Sequence, residues 1–270
     1  MKEAQEYAKK VFNEVAHKYD EIPFFKISAL NVLEIIKKHK KEANLEVLDV
    51  ACGTGNVILE CATCLKESSF DGVDISNGML EKAKVNAQKL NLTNVTFHLQ
   101  DITQLILEKK YDVITCSYVL FFLPNAHNVL KLLTKLLKKE GIVIFTSFTA
   151  EAFSPSNEIL IPLLQKYGSP TAKEYVMDKW ENLKHPKDIK HLCTLANVST
   201  PTIEMKPIRY GMSIDAWWEL FNNTGYKGML MELSPSNYEE VKRLYYEAMA
   251  KDCDESGEVE LIADSYFVVV

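Results

Sequence analysis

The chain has 270 residues, with 31 Lys and Arg set against 37 Asp and Glu, which gives a formal net charge of −6. A protein that neutralises several phosphates needs a basic face, and the paired lysines here never extend into a long basic run, so nucleic acid is disfavoured as a partner. With 47% apolar and 25% charged residues, the composition is that of a globular protein, and the length exceeds one typical domain of about 150 residues.

The first residues are charged and lack the apolar segment of a signal peptide. The long uncharged run at 113–124 is too short to cross a bilayer, so no membrane span is expected. Six scattered cysteines favour reduced thiols and a cytoplasmic location. Cys61 and Cys64 form a lone C-x-x-C without a second ligand pair, so no metal is predicted and both are interpreted as buried helix residues.

In chain order, apolar spacing predicts an amphipathic helix over 3–19 and a second helix over about 28–39. Strands are then predicted at 45–50, 70–74, 95–99, 111–118 and 142–148. Helices are predicted from 57 and over 78–90, and a third begins at Asn125 and is ended by Gly141. Strands and helices that alternate at these spacings predict a parallel sheet with helices on both faces.

Beyond residue 148 prolines punctuate the pattern, with helices expected near 159–167, 187–196 and 215–222. Residues 236–239 have the spacing of a capping box. We expect strands near 202–210 and 263–270 to complete the sheet. The predicted fold is therefore an α/β, doubly wound, mostly parallel seven-stranded sheet in one structural domain. It is divided into an N-terminal helical cover (1–40), a ligand-binding core (41–150) and a sheet-completing part with inserted cover helices (151–270).

A glycine turn follows the first predicted strand, at the edge where a doubly wound sheet opens its ligand crevice. Gly53 and Gly55 permit a tight turn and a close approach of backbone to ligand. Asp74 ends the next strand about 20 residues later, where a carboxylate accepts the hydroxyls of a ribose. The pair indicates a nucleoside binder and does not by itself distinguish a dinucleotide from other nucleosides.

Three details favour one type of nucleoside. Position 58 is Ile, so the third glycine of a dinucleotide-binding turn is missing. Asp49 lies two residues before the turn, where a carboxylate would repel a pyrophosphate but suits an ammonium group. Asp101 follows the third strand and can accept from the exocyclic amine of adenine. A ligand with an amino-acid end, a ribose and an adenine fits these carboxylates.

Four ordered motifs carry a resemblance to a known family. Residues 47–55, 72–76 with 79–80, 100–102 and 111–115 read VLDVACGTG, GVDIS with ML, QDI and YDVIT. They resemble the successive motifs of class I S-adenosylmethionine-dependent methyltransferases, of the Rossmann-like methyltransferase fold. The match covers roughly residues 45 to 150, and one departure is Ala51, where many members carry glycine.

The resemblance implies a set of cofactor contacts. The glycine turn would hold the methionine end, Asp74 the ribose, and Ile75 the face of adenine, with Asp101 and Ile102 at its border. The segment after the fourth strand would form the floor near the sulfonium. The complete cofactor set expected from the residues and the resemblance is Tyr19, Asp49, Ala51, Cys52, Gly53, Gly55, Asp74, Ile75, Met79, Asp101, Ile102, Cys116 and Ser117.

Two outer segments extend the resemblance. Residues 12–20, FNEVAHKYD, are similar to the entrance helix of ubiquinone/menaquinone-biosynthesis type methyltransferases, in which the tyrosine matching Tyr19 closes over the cofactor. Residues 217–226, WWELFNNTGY, look like the C-terminal part of many members of this superfamily and imply no particular substrate.

Methyl transfer needs a general base only when the acceptor must lose a proton, and His is the usual choice near neutral pH. His17 on the entrance helix is the candidate, and the alternative is that it simply faces solvent. Candidate acceptor contacts are Tyr118, Phe122, Trp217 and Tyr226, which would form an apolar or aromatic wall. The competing interpretation of these four aromatics is ordinary core packing.

The function predicted from the sequence is methyl transfer from S-adenosylmethionine to a small molecule by in-line displacement, leaving S-adenosylhomocysteine. An NAD-dependent oxidoreductase on a related fold and a non-catalytic S-adenosylmethionine-binding module are the alternatives. The acidic charge disfavours RNA as the acceptor.

Overall fold

The structure is a computed structural model that describes residues 2–174 and 180–270. The helices are α1 (Lys2–Val15), α2 (Pro23–His39), α3 (Asn56–Cys64), α4 (Asn77–Lys89), α5 (Ala126–Lys135), α6 (Ser156–Tyr167), α7 (Pro170–Glu174), α8 (Pro186–Ala196), α9 (Ile214–Asn222), α10 (Lys227–Met231) and α11 (Pro235–Met249). The strands are β1 (Glu46–Val50), β2 (Ser69–Asp74), β3 (Val95–Leu99), β4 (Tyr111–Ser117), β5 (Leu137–Phe148), β6 (Thr202–Lys206), β7 (Arg209–Ser213), β8 (Glu258–Ile262) and β9 (Ser265–Val269).

Within the described residues the main sheet has seven strands in the order β3-β2-β1-β4-β5-β9-β6. The first five are parallel, and β9 runs antiparallel between β5 and β6. The strand order reverses direction between β1 and β4, which is where such sheets bind ligands. This confirms the predicted fold class of a doubly wound, mostly parallel sheet.

Alternate residues of the central strands pack into two separate hydrophobic cores, one on each face of the sheet. Val47, Val113 and Ile144 pack with the apolar faces of α2 and α3. Their chain neighbours Leu48 and Ile114 point to the other face and pack with α5 and α8. Because both faces are covered, the central strands are apolar at nearly every position.

A third core, the aromatic cluster, lies beyond the carboxyl ends of the strands. It joins the start of α2 to α6, α9, α11 and the small antiparallel sheet β7-β8. Asp264 connects the two sheets, since its Oδ1 accepts from the backbone N–H of Ile208 at 2.9 Å and its Oδ2 from Nη2 of Arg209 at 2.5 Å. The elements after residue 148 are thereby held against the ligand edge of the main sheet.

Three expectations about local structure were wrong. The strand expected over 202–210 is interrupted at Pro207, which has no N–H to donate, so β6 joins the main sheet and β7 pairs with the unpredicted β8. The cap of α11 is Ser234, whose Oγ accepts from the N–H of Asn237, and not Ser236. Cys64 is exposed, so only Cys61 of the C-x-x-C faces the core.

The helix expected to run to Gly141 instead ends at Lys135, and β5 begins at Leu137. Leu137 pairs with Tyr111, but the next pair is Ile142 with Val113, so the register shifts around Glu140 and Gly141. Glu140 has φ +62°, in the left-handed region. A Cβ on Gly141 would lie 2.9 Å from the backbone oxygen of Tyr111. The irregularity depends on a glycine at 141 and strains the residue at 140.

Adjacent substitutions at this irregularity are expected to have opposite effects. Gly141→Ala should lower the free energy of unfolding by about 1–3 kcal/mol, because the new methyl group meets backbone. Glu140→Gly should leave the free energy of unfolding unchanged or raise it by up to about 1 kcal/mol, because glycine adopts positive φ without strain. Urea denaturation followed by circular dichroism measures both, and a stabilised Gly141→Ala variant would contradict this account.

Candidate functional site

The glycine turn connects β1 to α3 through three residues of positive φ: Ala51 (+54°), Gly53 (+55°) and Gly55 (+93°). A Cβ on Gly55 would lie 2.9 Å from the side chain of Leu59, so only glycine fits there. Above Gly53 the space is open until the ring of Tyr19, 4.0 Å from where a Cβ would stand. The turn therefore presents bare backbone to a space that Tyr19 covers.

Asp74 links this turn to the next strand end. Its Oδ2 accepts from the N–H of Gly53 and its Oδ1 from the N–H of Ser76, both at 2.8 Å. The residue is only 8% exposed, and burial raises the pKa of its carboxyl while these backbone N–H groups oppose the rise. Each oxygen keeps a second lone pair, which is what accepting two ribose hydroxyls requires.

Asp49 is a buried carboxylate with one unused oxygen. It is 2% exposed; Oδ1 accepts from Oγ1 of Thr115 at 2.7 Å, and Oδ2 has no partner within the described part of the chain. Burial raises the pKa of Asp49 to about 7, the Thr115 hydrogen bond opposes this, and the charge of Asp74 adds to it. A cationic donor such as an ammonium group would satisfy the free oxygen and favour ionisation. The donor set thus fits a ligand with a ribose and a positively charged amino group.

The predicted adenine border is partly occupied by local structure. Oδ1 of Asp101 accepts from both N and Oγ1 of Thr103 at 2.8 Å, capping a short 3₁₀ turn that contains the buried Ile102. Ile75 is half-buried. Met79 is buried against the end of α1 and so contacts the N-terminal helix.

Cys52 of the glycine turn and Cys116 of the predicted floor are both core residues. The thiols of Cys52 and Cys116 are buried, and burial raises the pKa of each well above its usual range, so both are neutral. The side chain of Cys116 packs in the core with residues of α5 and α8. Ser117 next to it has a buried Oγ without a partner in the described residues, so this hydroxyl remains available.

The chain leaving α1 closes over the site, and we call residues 12–21 the N-terminal strap. Oδ1 of Asn13 accepts from Oγ of Ser76 at 2.7 Å and from the N–H of Gly78 at 2.9 Å. The ring of Tyr19 stacks on Phe25 at 4.5 Å between centroids, and burial raises its pKa, as does the nearby charge of Asp74. The strap thereby brings Tyr19 to the glycine turn and its acid.

Asp20 fixes the other end of the strap. It accepts from Oγ1 of Thr54 and from Nδ2 of Asn86 at 2.8 Å, and Nζ of Lys82 lies 3.9 Å from Oδ2. Neither Asn13 nor Asp20 was among the predicted site residues. Asp20 directly follows Tyr19 in the segment that carried the resemblance, and this adjacency is the signal that could have identified it.

His17 does not join this group. Its ring is exposed, with Nδ1 2.9 Å from the backbone oxygen of Glu14, and no described contact links it to the glycine turn. The solvent-facing alternative describes its position.

The four aromatic residues predicted to contact the acceptor lie in different environments. Tyr118 has φ +55°, stacks on Phe148 at 4.4 Å and donates from its OH to Oγ of Ser28. The OH of Tyr226 donates to Oδ1 of Asn157 at 2.7 Å. Tyr118 is a buried member of the aromatic cluster and Tyr226 packs against it, whereas Phe122 is 59% exposed.

Trp217 is 0% exposed and donates from Nε1 to the backbone oxygen of Val259. This corrects its expected place in the acceptor wall. The side chain belongs to the aromatic cluster, where the ring centroid of Phe221 lies 6.0 Å away.

The part of the chain that the structure describes holds no group of three or more His, Cys, Asp or Glu arranged for a metal ion. In the same ranges no helix combines the length and apolar character that crossing a bilayer requires.

Comparisons with known proteins agree with this geometry. Residues 41–207 match a family model described as "Methyltransferase domain". Malonyl-[acyl-carrier protein] O-methyltransferase of Bacillus cereus is 35% identical over 146 residues, 53% of this chain and 53% of that protein. Demethylmenaquinone methyltransferase of Lactococcus lactis is 30% identical over 183 residues, 63% of this chain and 73% of the relative. The chain spans about half the length of the malonyl relatives that it matches.

Two solved structures are similar in fold. The YcgJ protein of Bacillus subtilis has a TM-score of 0.55 at 16% identity, covering 90% of this chain and 97% of that one. Magnesium protoporphyrin IX methyltransferase of Synechocystis, solved with bound SAM, has a TM-score of 0.52 at 18% identity, covering 76% of this chain and 89% of that one. The sheet and the glycine turn define a Rossmann-like nucleoside-binding protein. More narrowly, since the family match extends over more than half of its residues, this chain belongs to the methyltransferase domain family.

The unused oxygen of Asp49 generates a prediction about stability and pH. Its pKa is about 7 in the folded chain and 3.8 in the absence of structure, so the folded state holds one more proton between these values. The free energy of unfolding therefore falls as pH rises from about 4 to 7, by at most about 4 kcal/mol. Asp49→Asn should remove this fall, so its stability relative to wild type should increase toward pH 8 in urea denaturation series.

Asp112→Asn is the matched control, because burial opposes ionisation of Asp112 but the N–H of Glu46 and the ammonium of Lys138 hold its pKa below the usual range. Its contribution is present at neutral pH and is lost as pH falls through that low pKa. The control variant should thus lose stability relative to wild type at neutral pH. Equal pH profiles for wild type and Asp49→Asn would show that Asp49 is not a raised-pKa group.

The contacts of the strap predict how readily it opens. Asp20→Ala removes acceptors for Thr54 and Asn86, each about 1 kcal/mol, so trypsin should cleave after Lys18 several-fold faster. Glu21→Ala, on an exposed neighbour, should leave the rate unchanged. Mass spectrometry of a digestion time course measures both, and equal rates in all three proteins would mean that Asp20 does not hold the strap.

Proposed function

We propose that this protein transfers a methyl group from S-adenosylmethionine to a small-molecule acceptor by in-line displacement. The observation that carries the proposal is the pairing of Asp74, which holds Gly53 while keeping lone pairs for a ribose, with the unpartnered buried oxygen of Asp49. Membership of the methyltransferase domain family and the positive φ angles of the glycine turn support the same cofactor.

Each part of the site has a role in this reaction. The cofactor supplies an activated methyl group on a positively charged sulfur. Asp74 orients the ribose, and Asp49 accepts from the amino group of the methionine end. Tyr19 covers the glycine turn and excludes water, while Ser117 offers a hydroxyl at the floor. Catalysis then rests on proximity and alignment rather than on an acid or base of the protein.

The acceptor is proposed to meet the methyl group against Tyr118 and Tyr226. Tyr118 belongs to the aromatic cluster and Tyr226 packs against it, and residues from the start of α2 and from the elements after 148 build this cluster together. This packing supports the division into a ligand-binding core (41–150) and helical cover segments (1–40 and within 151–270). The named relatives act on different acceptors, malonyl-[acyl-carrier protein] and demethylmenaquinone, so the family does not select one.

The NAD-dependent alternative has less support. Ile58, on α3, occupies the position of the third glycine and is buried in the core with residues of α2, and Asp49 stands where the charge of a pyrophosphate would be opposed. The six cysteines, all of them free, support the proposal of a cytoplasmic location.

Calorimetric titration with S-adenosylhomocysteine tests the proposal. Wild type should bind, and Asp74→Ala should bind at least about tenfold more weakly, because a charge-assisted hydrogen bond is worth about 1.5–3 kcal/mol. Asp252→Asn, which changes an exposed carboxylate in the bend after α11, should bind as wild type does.

Three results would contradict the proposal. The first is the absence of binding, and the second is wild-type affinity in Asp74→Ala. The third is binding without methyl transfer across a broad panel of small acceptors, which would leave a non-catalytic binding module.

A further inference from the structure

A polar cleft of about 300 Å³ lies between the N-terminal strap and helices α9, α10 and α11, and no residue of the glycine turn lines it. We call it the lysine cleft. Its positively charged lining residues are Lys18, Lys227 and Lys242, and its negatively charged lining residues are Glu14 and Glu219. His17 also lines it, and the three lysines outnumber the two carboxylates.

The carboxylates of the cleft are not paired with all of its lysines. Glu219 pairs with Lys18 at 3.2 Å and also accepts from Nδ2 of Asn223 at 3.2 Å. In the described ranges neither Lys227 nor Lys242 forms an ion pair with a carboxylate. Nζ of Lys242 lies 5.5 Å from the ring centroid of Tyr246, a contact that leaves its N–H donors open.

The floor of the cleft is a connected set of hydrogen bonds. Nε1 of Trp218 donates to the OH of Tyr238 at 3.1 Å, and that OH donates to Oδ1 of Asn222 at 3.1 Å. The same oxygen accepts from Nζ of Lys227 at 3.1 Å. Because this network uses the acceptors of Asn222 and Tyr238, what remains facing the cleft is an excess of donors.

We propose that the lysine cleft is an anion site that holds a carboxylate or phosphate group of the methyl acceptor. Surplus N–H donors on partly buried lysines, set on a rigid polar floor, are what such a group requires. The chain path gives the link to the reaction centre. His17 and Lys18 line the cleft, and the next residue, Tyr19, covers Gly53. The residues that line the cleft and the residue that covers the glycine turn are therefore at most about two Cα–Cα steps apart, roughly 7 Å of chain.

The anion site itself is independent of the proposed function, whereas its role for the acceptor rests on that function. Two measurements keep them apart. The first is calorimetric titration of the full chain with inorganic phosphate and, separately, citrate, with and without S-adenosylhomocysteine. The second is methyl transfer to carboxylic acids and phosphate monoesters compared with the matching amides and alcohols.

In the first measurement, wild type should bind at least one of the two anions saturably. The double variant Lys227→Met/Lys242→Met should bind it at least about tenfold more weakly, because two charge-assisted contacts are lost. Lys242→Arg should retain binding, which excludes a folding defect as the cause. Lys251→Met, the same charge change near the end of α11 and outside the cleft, should match wild type. No saturable binding of either anion, or undiminished binding by the double variant, would overturn the site.

In the second measurement, acidic acceptors should be preferred, and Lys242→Met should raise their KM without a matching fall in kcat. Anion binding without any preference for acidic acceptors would overturn the role assigned to the acceptor. Failure of S-adenosylhomocysteine to bind would instead count against the proposed function, and the titration without it would still decide the anion site.

Discussion

The carboxylate of Asp74 is the interaction on which the ligand edge of this protein depends. Val50 and Val73 are neighbours at the ends of two parallel strands, and the N–H of Cys52 continues that pairing to the oxygen of Val73 at 3.0 Å. Beyond this point the hydrogen-bond ladder between the two strands ends. The carboxylate of Asp74 then accepts from the N–H groups of Gly53 and Ser76. One side chain thus fixes the glycine turn and the start of α4 in a single arrangement, and the strap then closes on both.

The carboxylate of Asp74 also affects the pKa values of neighbouring groups in the site. Three residues earlier on β2, Asp71 is paired with Lys109 and His98; burial opposes its ionisation, but these partners hold its pKa below the usual range. Asp74 has only neutral donors, and its charge contributes to raising the pKa of Asp49 and of Tyr19. Two buried acids facing one space without a described cation between them cost stability in the isolated chain. A cationic ligand would offset that cost, which is why strongly perturbed carboxyl groups tend to mark binding sites.

The sequence reveals the part of this molecule whose pattern is local and misses what depends on distant pairing. Alternation of strands and helices predicted the sheet, and the ligand edge followed from the position of Gly53 after β1. The prediction that the helix extends to Gly141 was wrong because Leu136 and Leu137 continue its apolar spacing in the sequence. In the structure Leu137 pairs with Tyr111, and this segment is part of β5. Pro207 was visible in the sequence and could have divided the strand at 202–210. Trp217 could not be placed, because an apolar helix face looks the same whether a core or a ligand covers it.

The position of the strap constrains the order in which the two ligands meet the protein. Tyr19 lies over Gly53, Asn13 and Asp20 are hydrogen-bonded to the two ends of α4, and Asp20 also accepts from Thr54 in the glycine turn. We therefore expect a nucleoside to reach the glycine turn while the strap is displaced. Lys18 and His17 belong to the same strap, and they complete the lysine cleft only when it is closed. If the cleft holds an anionic group of the acceptor, its full set of donors therefore forms after the cofactor has entered. Closure over the first ligand would then build the site for the second, because both surfaces are carried by adjacent residues of one short segment.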